Sequence, residues 1–182
     1  MEIICFGDSI TRGYDVPYGS GWVEICDASI EGVNFTNYGV DGCSVQAMIY
    51  NIENWAVTAV SDPTRHLFLM CGTNDILQGR DSAYVFKTLV KAIELASTKG
   101  QVIIGLETQI DSDMDGLDLV VREVNEQLKA YAAAHDIKVI DFYTTLFEAD
   151  QIGQIVFAGE VHPNELGYRL MAYKALEIFT RL

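Results

Sequence analysis

Five short apolar runs separated by stretches of helical period constrain this chain more than any other feature. The runs lie at residues 2–7, 33–38, 66–71, 101–107 and 137–142, and helical patterns occupy 20–30, 44–60, 81–98, 117–134 and 164–181. In the stretch 81–98, Val85, Phe86, Leu89, Val90, Ile93 and Ala96 share one face. In 117–134 the same holds for Leu117, Val120, Val121, Val124, Leu128 and Tyr131. Gly100 and Gly116 punctuate these helices. Regular strand–helix alternation predicts an α/β fold, a parallel sheet of five strands with helices on both faces. Leu67–Cys71 and Val102–Ile104 are apolar at every position, as central strands covered on both faces should be. Val33-Asn34-Phe35-Thr36-Asn37-Tyr38 partly alternates apolar with polar, which suits an edge strand. With the second strand at an edge the order is 2-1-3-4-5, and strands one and three flank the switch point where such sheets bind ligands.

No linker or repeat divides the 182 residues, so one domain over 1–182 is expected. No apolar stretch approaches the roughly 20 residues that span a bilayer. The opening has no basic region ahead of its apolar run, unlike a secretory signal. A cytoplasmic protein without stable membrane association is the expectation. Twelve basic against 26 acidic residues give a net charge of −14. Such a surface repels phosphate backbones and anionic membranes, which argues against a nucleic-acid partner. Cys5, Cys26, Cys43 and Cys71 lack metal-ligand spacing and sit among apolar neighbours. They read as buried free thiols, and neither a metal nor a cofactor is expected.

Polar motifs follow the first three runs. Gly7-Asp8-Ser9-Ile10-Thr11 closes the first, Asn37-Tyr38-Gly39 the second and Gly72-Thr73-Asn74-Asp75 the third. All three fall at carboxyl ends of strands, on one rim. Ser9 at a sharp turn after a buried strand is presented as nucleophilic serines are, with backbone N–H groups gathered around the hydroxyl. A serine needs a base, and Val161-His162-Pro163-Asn164 offers one just before the last helix. Acyl transfer also needs donors aimed at the developing oxyanion. The backbone N–H groups of Ser9 and Gly39 and the side-chain amide of Asn74 are the candidates.

Each of these residues also has a structural reading. Ser9 is a favoured N-cap residue. Gly39 suits a positive φ, and Asn74 suits a turn that bonds its own backbone. Asp8 and Asp75 read as braces rather than catalysts. His66 opens the buried third strand, and His135 closes a helix, where a cation favours the dipole. His162 is the base that remains. Among rival nucleophiles, Ser44 in Gly42-Cys43-Ser44-Val45-Gln46 lacks the closing glycine of a nucleophile elbow and reads as a helix cap. Cys43 and Cys71 lie close to the rim. The acidic loop Asp111-Ser112-Asp113-Met114-Asp115 lacks the liganding glutamate of a calcium loop and reads as a solvated pocket edge. Trp22, Trp55, Tyr143 and Phe157 either line a pocket or pack.

At these positions the chain resembles the GDSL, or SGNH, hydrolase family. Gly7-Asp8-Ser9-Ile10-Thr11 is similar to its first motif, Gly39 to its second, Gly72-Thr73-Asn74-Asp75 to its third and Val161-His162-Pro163-Asn164 to its last. The four occur in the family's order and span nearly the whole chain. The resemblance implies a flavodoxin-like three-layer α/β/α fold and hydrolysis of a small-molecule ester or thioester through an acyl-serine, without a metal. It implies the same roles for Ser9, Gly39, Asn74 and His162. One departure stands out: the family's acid three positions before the histidine is replaced here by Gly159. Glu160 is the nearest carboxylate, and in an extended segment residues i and i−2 point to one face. Either Glu160 or a backbone carbonyl then orients the imidazole. A compact chain without large insertions suggests an open site and short acyl groups, acetyl esters above all. Lysophospholipids and acyl thioesters are the alternative substrates, and a ligand-binding protein on the same scaffold is the alternative of another class.

Overall fold

The first strand, β1 (Glu2–Gly7), lies between two parallel neighbours, β2 (Asn34–Gly39) and β3 (His66–Met70). Beyond β3 come β4 (Gln101–Leu106) and β5 (Lys138–Asp141), also parallel, and the sheet order is β2-β1-β3-β4-β5. This is the expected five-stranded arrangement, with the alternating segment at the edge. The computed structural model describes residues 1–110 and 116–182; the acidic stretch 111–115 lies outside the described residues.

The pleat sorts the core into two layers, because successive side chains point to opposite faces. Ile4, Phe6, Leu67, Leu69 and Ile104 pack beneath α3 (Val45–Thr58), α5 (Ser82–Ser97) and α6 (Leu117–Ala134). Ile3, Cys5, Phe68, Met70 and Ile103 face α2 (Trp22–Ser29), α7 (Phe142–Gln151) and α8 (Glu165–Phe179). Trp22 is completely buried in the second layer, its ring 4.8 Å from Phe68 and 5.2 Å from Phe142 between centroids, so it belongs to the core. All four cysteines are buried and unpaired. Among the described residues no helix is long and apolar enough to cross a membrane.

Three helices were not anticipated. Those at Ser9–Arg12, here α1, and at Thr73–Leu77, here α4, span four and five residues, too few to show a period. The third, α7, takes over where strand five was expected to run on to residue 142. Asp141 ends the strand and caps the helix, its side chain accepting from Thr144 N at 2.8 Å. Phe142, Leu146 and Ala149 then bury the helix's inner face.

Candidate active site

Ser9 is set by its neighbours along the chain. Asp8, not Ser9, is the N-cap of α1: its carboxylate accepts from Ile10 N at 2.9 Å, and Ser9 occupies the first helical position. The Ser9 hydroxyl is therefore free of capping. Tight packing holds the turn, because a Cβ on Gly7 would stand 2.1 Å from Thr11 Oγ1 and 2.4 Å from Met70 O. Across the rim, Phe157 and Pro163 form an antiparallel bridge and Ala158 N donates to His162 O at 2.9 Å. Asn164 closes this loop by capping α8, accepting from Gly167 N at 3.0 Å. The outcome is a contact spanning most of the chain: Ser9 Oγ lies 2.9 Å from His162 Nε2. Half-burial pushes the His162 imidazole below its ordinary pKa, opposed by the negative charges of Asp15 and Asp41.

Gly39 and Asn74 reach the same rim. Gly39 does not have a positive φ, so conformational freedom is not why a glycine stands there. Its role is close approach, since a Cβ would lie 2.3 Å from Arg12 N, 2.7 Å from Arg12 Cα and 2.9 Å from Asp8 O. The Gly39 N–H donates to Asn37 Oδ1 at 2.9 Å, and Asn37 Nδ2 is anchored to Thr11 O at 3.0 Å and Glu24 Oε1 at 2.9 Å. An oxyanion at Gly39 would share that N–H with Asn37. Asn74 does not bond its own backbone. Its amide donates to Cys43 O at 3.1 Å, in the turn closed by Cys43 N to Val40 O at 3.1 Å just after Gly39. The second amide hydrogen stays available.

The structure does not bring Glu160 to the ring. Residues 158–161 form a bend rather than an extended segment, so the same-face rule for i and i−2 does not operate. Glu160 is exposed and bonds to no described side chain, and the described residues supply no hydrogen-bond partner for His162 Nδ1. What does touch the imidazole is Tyr14, whose ring centroid lies 4.6 Å from it at 40°. No motif announced that contact; a lone tyrosine after a short helix carries no signal.

The sequence pattern of the GDSL-like lipase/acylhydrolase family matches residues 5–170. The chain belongs to that family of ester hydrolases. It is similar in structure, at 93% identity and a TM-score of 0.98 over 100% of both chains, to a lipolytic protein of the G-D-S-L family from Veillonella parvula. A lipase/acylhydrolase from Enterococcus faecalis is 26% identical, with a TM-score of 0.80 over 100% of this chain and 96% of its own. An acetylxylan esterase from Geobacillus stearothermophilus shares the fold, at 18% identity and a TM-score of 0.79 over 97% and 92%. A comparison with curated proteins gave no significant match.

Behind the rim this GDSL-family chain buries three carboxylates. Asp75 behaves as a brace, accepting from Val45 N at 2.8 Å at the start of α3. Glu107 accepts from Thr73 Oγ1 at 2.5 Å, and its backbone is held by Asn125 through bonds of 3.1 and 2.9 Å. Burial raises all three, Asp8 to about 7, Asp75 above its ordinary value and Glu107 well above it, and repulsion from neighbouring carboxylates adds to the rise of Asp8 and Glu107. Glu107 was missed as a site-bracing residue, although a carboxylate directly after an apolar strand on the active rim was a signal. The rival nucleophiles are bound into the same framework. Ser44 caps α3, its hydroxyl accepting from Ala47 N at 3.2 Å. The Cys71 thiol donates to Cys43 O at 3.3 Å, and its contact with the Cys43 thiol lowers the latter's pKa. His66 is 6% exposed at the start of β3. His135 caps α6, with Nδ1 2.8 Å from Tyr131 O. Both lie away from Ser9.

Of the remaining aromatics, Trp55 packs edge-on against Phe6 at 5.7 Å with the Arg65 guanidinium over its ring. Tyr143 and Phe157 line a cavity of about 260 Å³ with Gln109 and Ile110. Among the described residues no cluster of side chains suits a metal ion.

Proposed function

We propose that this chain is a serine esterase in which Ser9 is the nucleophile and His162 the base, acting on short-chain carboxylic esters of acetyl type. The observation that carries the reading is the 2.9 Å contact between Ser9 Oγ and His162 Nε2. That is hydrogen-bond reach for a nucleophile and the base that deprotonates it. Ser9 Oγ attacks the ester carbonyl while its proton passes to Nε2. The carbonyl oxygen becomes an oxyanion facing the N–H groups of Ser9 and Gly39 and the amide of Asn74. Collapse of this intermediate breaks the bond to the alcohol, which leaves with the proton from Nε2. Water, deprotonated by the same nitrogen, then attacks the acyl-serine, and the Ser9–acyl bond breaks to release the acid as Nε2 returns that proton to Ser9 Oγ.

A cavity of about 610 Å³ bordered by Arg12, Tyr14, Asp15 and Gly39 lies beside the rim; of the proposed machinery it touches only Gly39, so it suits the part of a substrate that extends away from the reacting carbonyl. Arg12, Asp15, Glu24 and Asn37 give its lining a mixed, partly charged character, a poor match for a long acyl chain. Four buried, unpaired thiols suit work in a reducing cytoplasm by a single catalytic domain.

Hydrolysis of nitrophenyl esters from acetate to decanoate, compared between wild type and Ser9→Ala, tests the proposal. The expected result is turnover greatest on the shortest esters and lost in Ser9→Ala, which keeps the fold. A decanoate optimum would favour the lysophospholipid or thioester reading. Clean mutant protein that still turns over ester would remove Ser9 from the mechanism. No turnover by wild type on any ester would turn the assignment to a ligand-binding protein.

A further inference from the structure

An imidazole that trades a proton with a serine must be held in one orientation, and it is a cation each time it takes that proton. At position 159, where the family's acid would stand, there is glycine, and Glu160 is exposed. His162 Nδ1 has no hydrogen-bond partner among the described residues. The polar contact of the ring is Ser9 Oγ, 2.9 Å from Nε2, and its aromatic contact is Tyr14, 4.6 Å away between centroids at 40°. That separation lies in the range of attractive ring pairs, roughly 4.5–7 Å. It is also inside the ~6 Å over which a cation is drawn to an aromatic face.

We propose that Tyr14 is a positioning residue for His162: its ring keeps the imidazole turned toward Ser9 and offers the imidazolium a π face, the work that an acid at position 159 would do. This rests on the serine–histidine reading above. The turn that carries Tyr14 is anchored through its backbone. Tyr14 N donates to Ser9 O at 3.0 Å, and Tyr14 O accepts from Tyr168 Oη at 3.2 Å. The first bond reaches the nucleophile's own residue, and the second reaches α8, which begins just after His162. Gly13 opens the turn in a left-handed conformation, and a Cβ there would stand 2.9 Å from Gly21 Cα at the start of α2. One short turn thus sets the Tyr14 ring relative to both members of the pair. Tyr14 is 42% exposed and belongs to neither layer of the core, so core packing does not account for an aromatic there.

Tyr14→Leu and Tyr14→Met test this by filling the place of the ring without its π face, and Tyr14→Phe keeps the ring and drops the hydroxyl. The turn's bonds use Tyr14 backbone atoms, so all three variants should keep the fold in thermal melts. The first readout is NMR titration of the His162 ring protons, assigned against His162→Gln, and it needs no catalytic activity. Asp15, Asp41 and the Arg12 paired with Asp41 are the same in every variant, so the difference between Tyr14→Leu and Tyr14→Phe isolates the ring face. The His162 pKa should be about 0.5 unit lower in the two aliphatic variants than in Tyr14→Phe, the size of an exposed cation–π contact. The second readout is nitrophenyl acetate kinetics. Both aliphatic variants should lose about 10-fold in kcat with KM changed by less than about 2-fold, and Tyr14→Phe should restore most of the loss. The same titration and the same kcat in all three variants overturn the proposal. So does a rise in KM alone, which makes Tyr14 a substrate contact, or an equal loss in Tyr14→Phe, which assigns the effect to the hydroxyl. Unfolding of both aliphatic variants also overturns it, by making Tyr14 a packing residue. If wild type hydrolyses no ester, the esterase reading fails, and the titration still decides whether the Tyr14 ring faces the imidazolium.

Discussion

Gly39→Ala is the substitution for which the structure sets the magnitude most directly. A methyl group at this position would sit 2.3 Å from Arg12 N and 2.7 Å from Arg12 Cα, where ordinary van der Waals contact begins near 3.4 Å. The obstacle is backbone of α1, so no side chain can rotate away, and β2 must separate from α1 by about 1 Å. That separation pulls the Gly39 N–H away from Ser9, whose backbone belongs to the same short helix. Overpacking of this kind costs about 1–3 kcal/mol, which for a chain of this length lowers Tm by roughly 3–10 °C. A misplacement near 1 Å costs on the order of 10²-fold in rate. The loss should fall mainly on kcat, because an oxyanion donor acts most strongly in the transition state. Thermal melts and nitrophenyl acetate kinetics measure the two effects. Wild-type kcat and Tm together would refute the close-approach reasoning. A lowered Tm with wild-type kcat would show that Gly39 packs but gives no donor.

Asn74→Ala removes a proposed oxyanion donor and the partner of Cys43 O, so kcat should fall on the order of 10²–10³-fold with KM changed far less; a rise in KM alone would argue for substrate binding instead. Activity should climb with pH through an inflection below the ordinary histidine value of 6.5, since burial lowers the His162 pKa and the neutral ring is the active form; an inflection above 6.5 would contradict it. The buried carboxylates work on stability in the opposite sense. Asp8 has a folded-state pKa raised from 3.8 to about 7, so its contribution is present below pH 4 and is lost as pH rises toward 7. Asp8→Asn should therefore flatten the decline of Tm between pH 5 and pH 8, and an unchanged pH dependence in thermal melts would count against burial of an ionisable Asp8.

Much of the candidate site could be read without coordinates because its residues sit at strand ends. Ser9, Gly39 and Asn74 each follow an apolar run, and parallel strands deliver all their carboxyl ends to one rim. The order of the sheet was legible for a related reason: an edge strand shows alternation, and strands covered on both faces do not. The short helices Ser9–Arg12 and Thr73–Leu77 were illegible because one turn has no period. Phe142–Gln151 was hidden by a strand whose last residue doubles as its cap.

The acid is where local reasoning stopped. Glu160 lies two residues from His162, and nearness along the chain suggested that it would reach the ring. The bend at residues 158–161 turns it to solvent. Tyr14, about 150 positions away in the chain, is brought to the imidazole by the turn after α1, held between Ser9 O and the Tyr168 hydroxyl. The requirement for glycine at position 39 is of the same kind, since its reason is a backbone 27 residues earlier and not its own dihedral angles. Periodicity and motif order, which depend on near neighbours, determined the sheet, the rim and the serine–histidine pair. Which side chains touch the histidine, and which backbones meet, depended on how separate turns pack, and only the tertiary structure decided that.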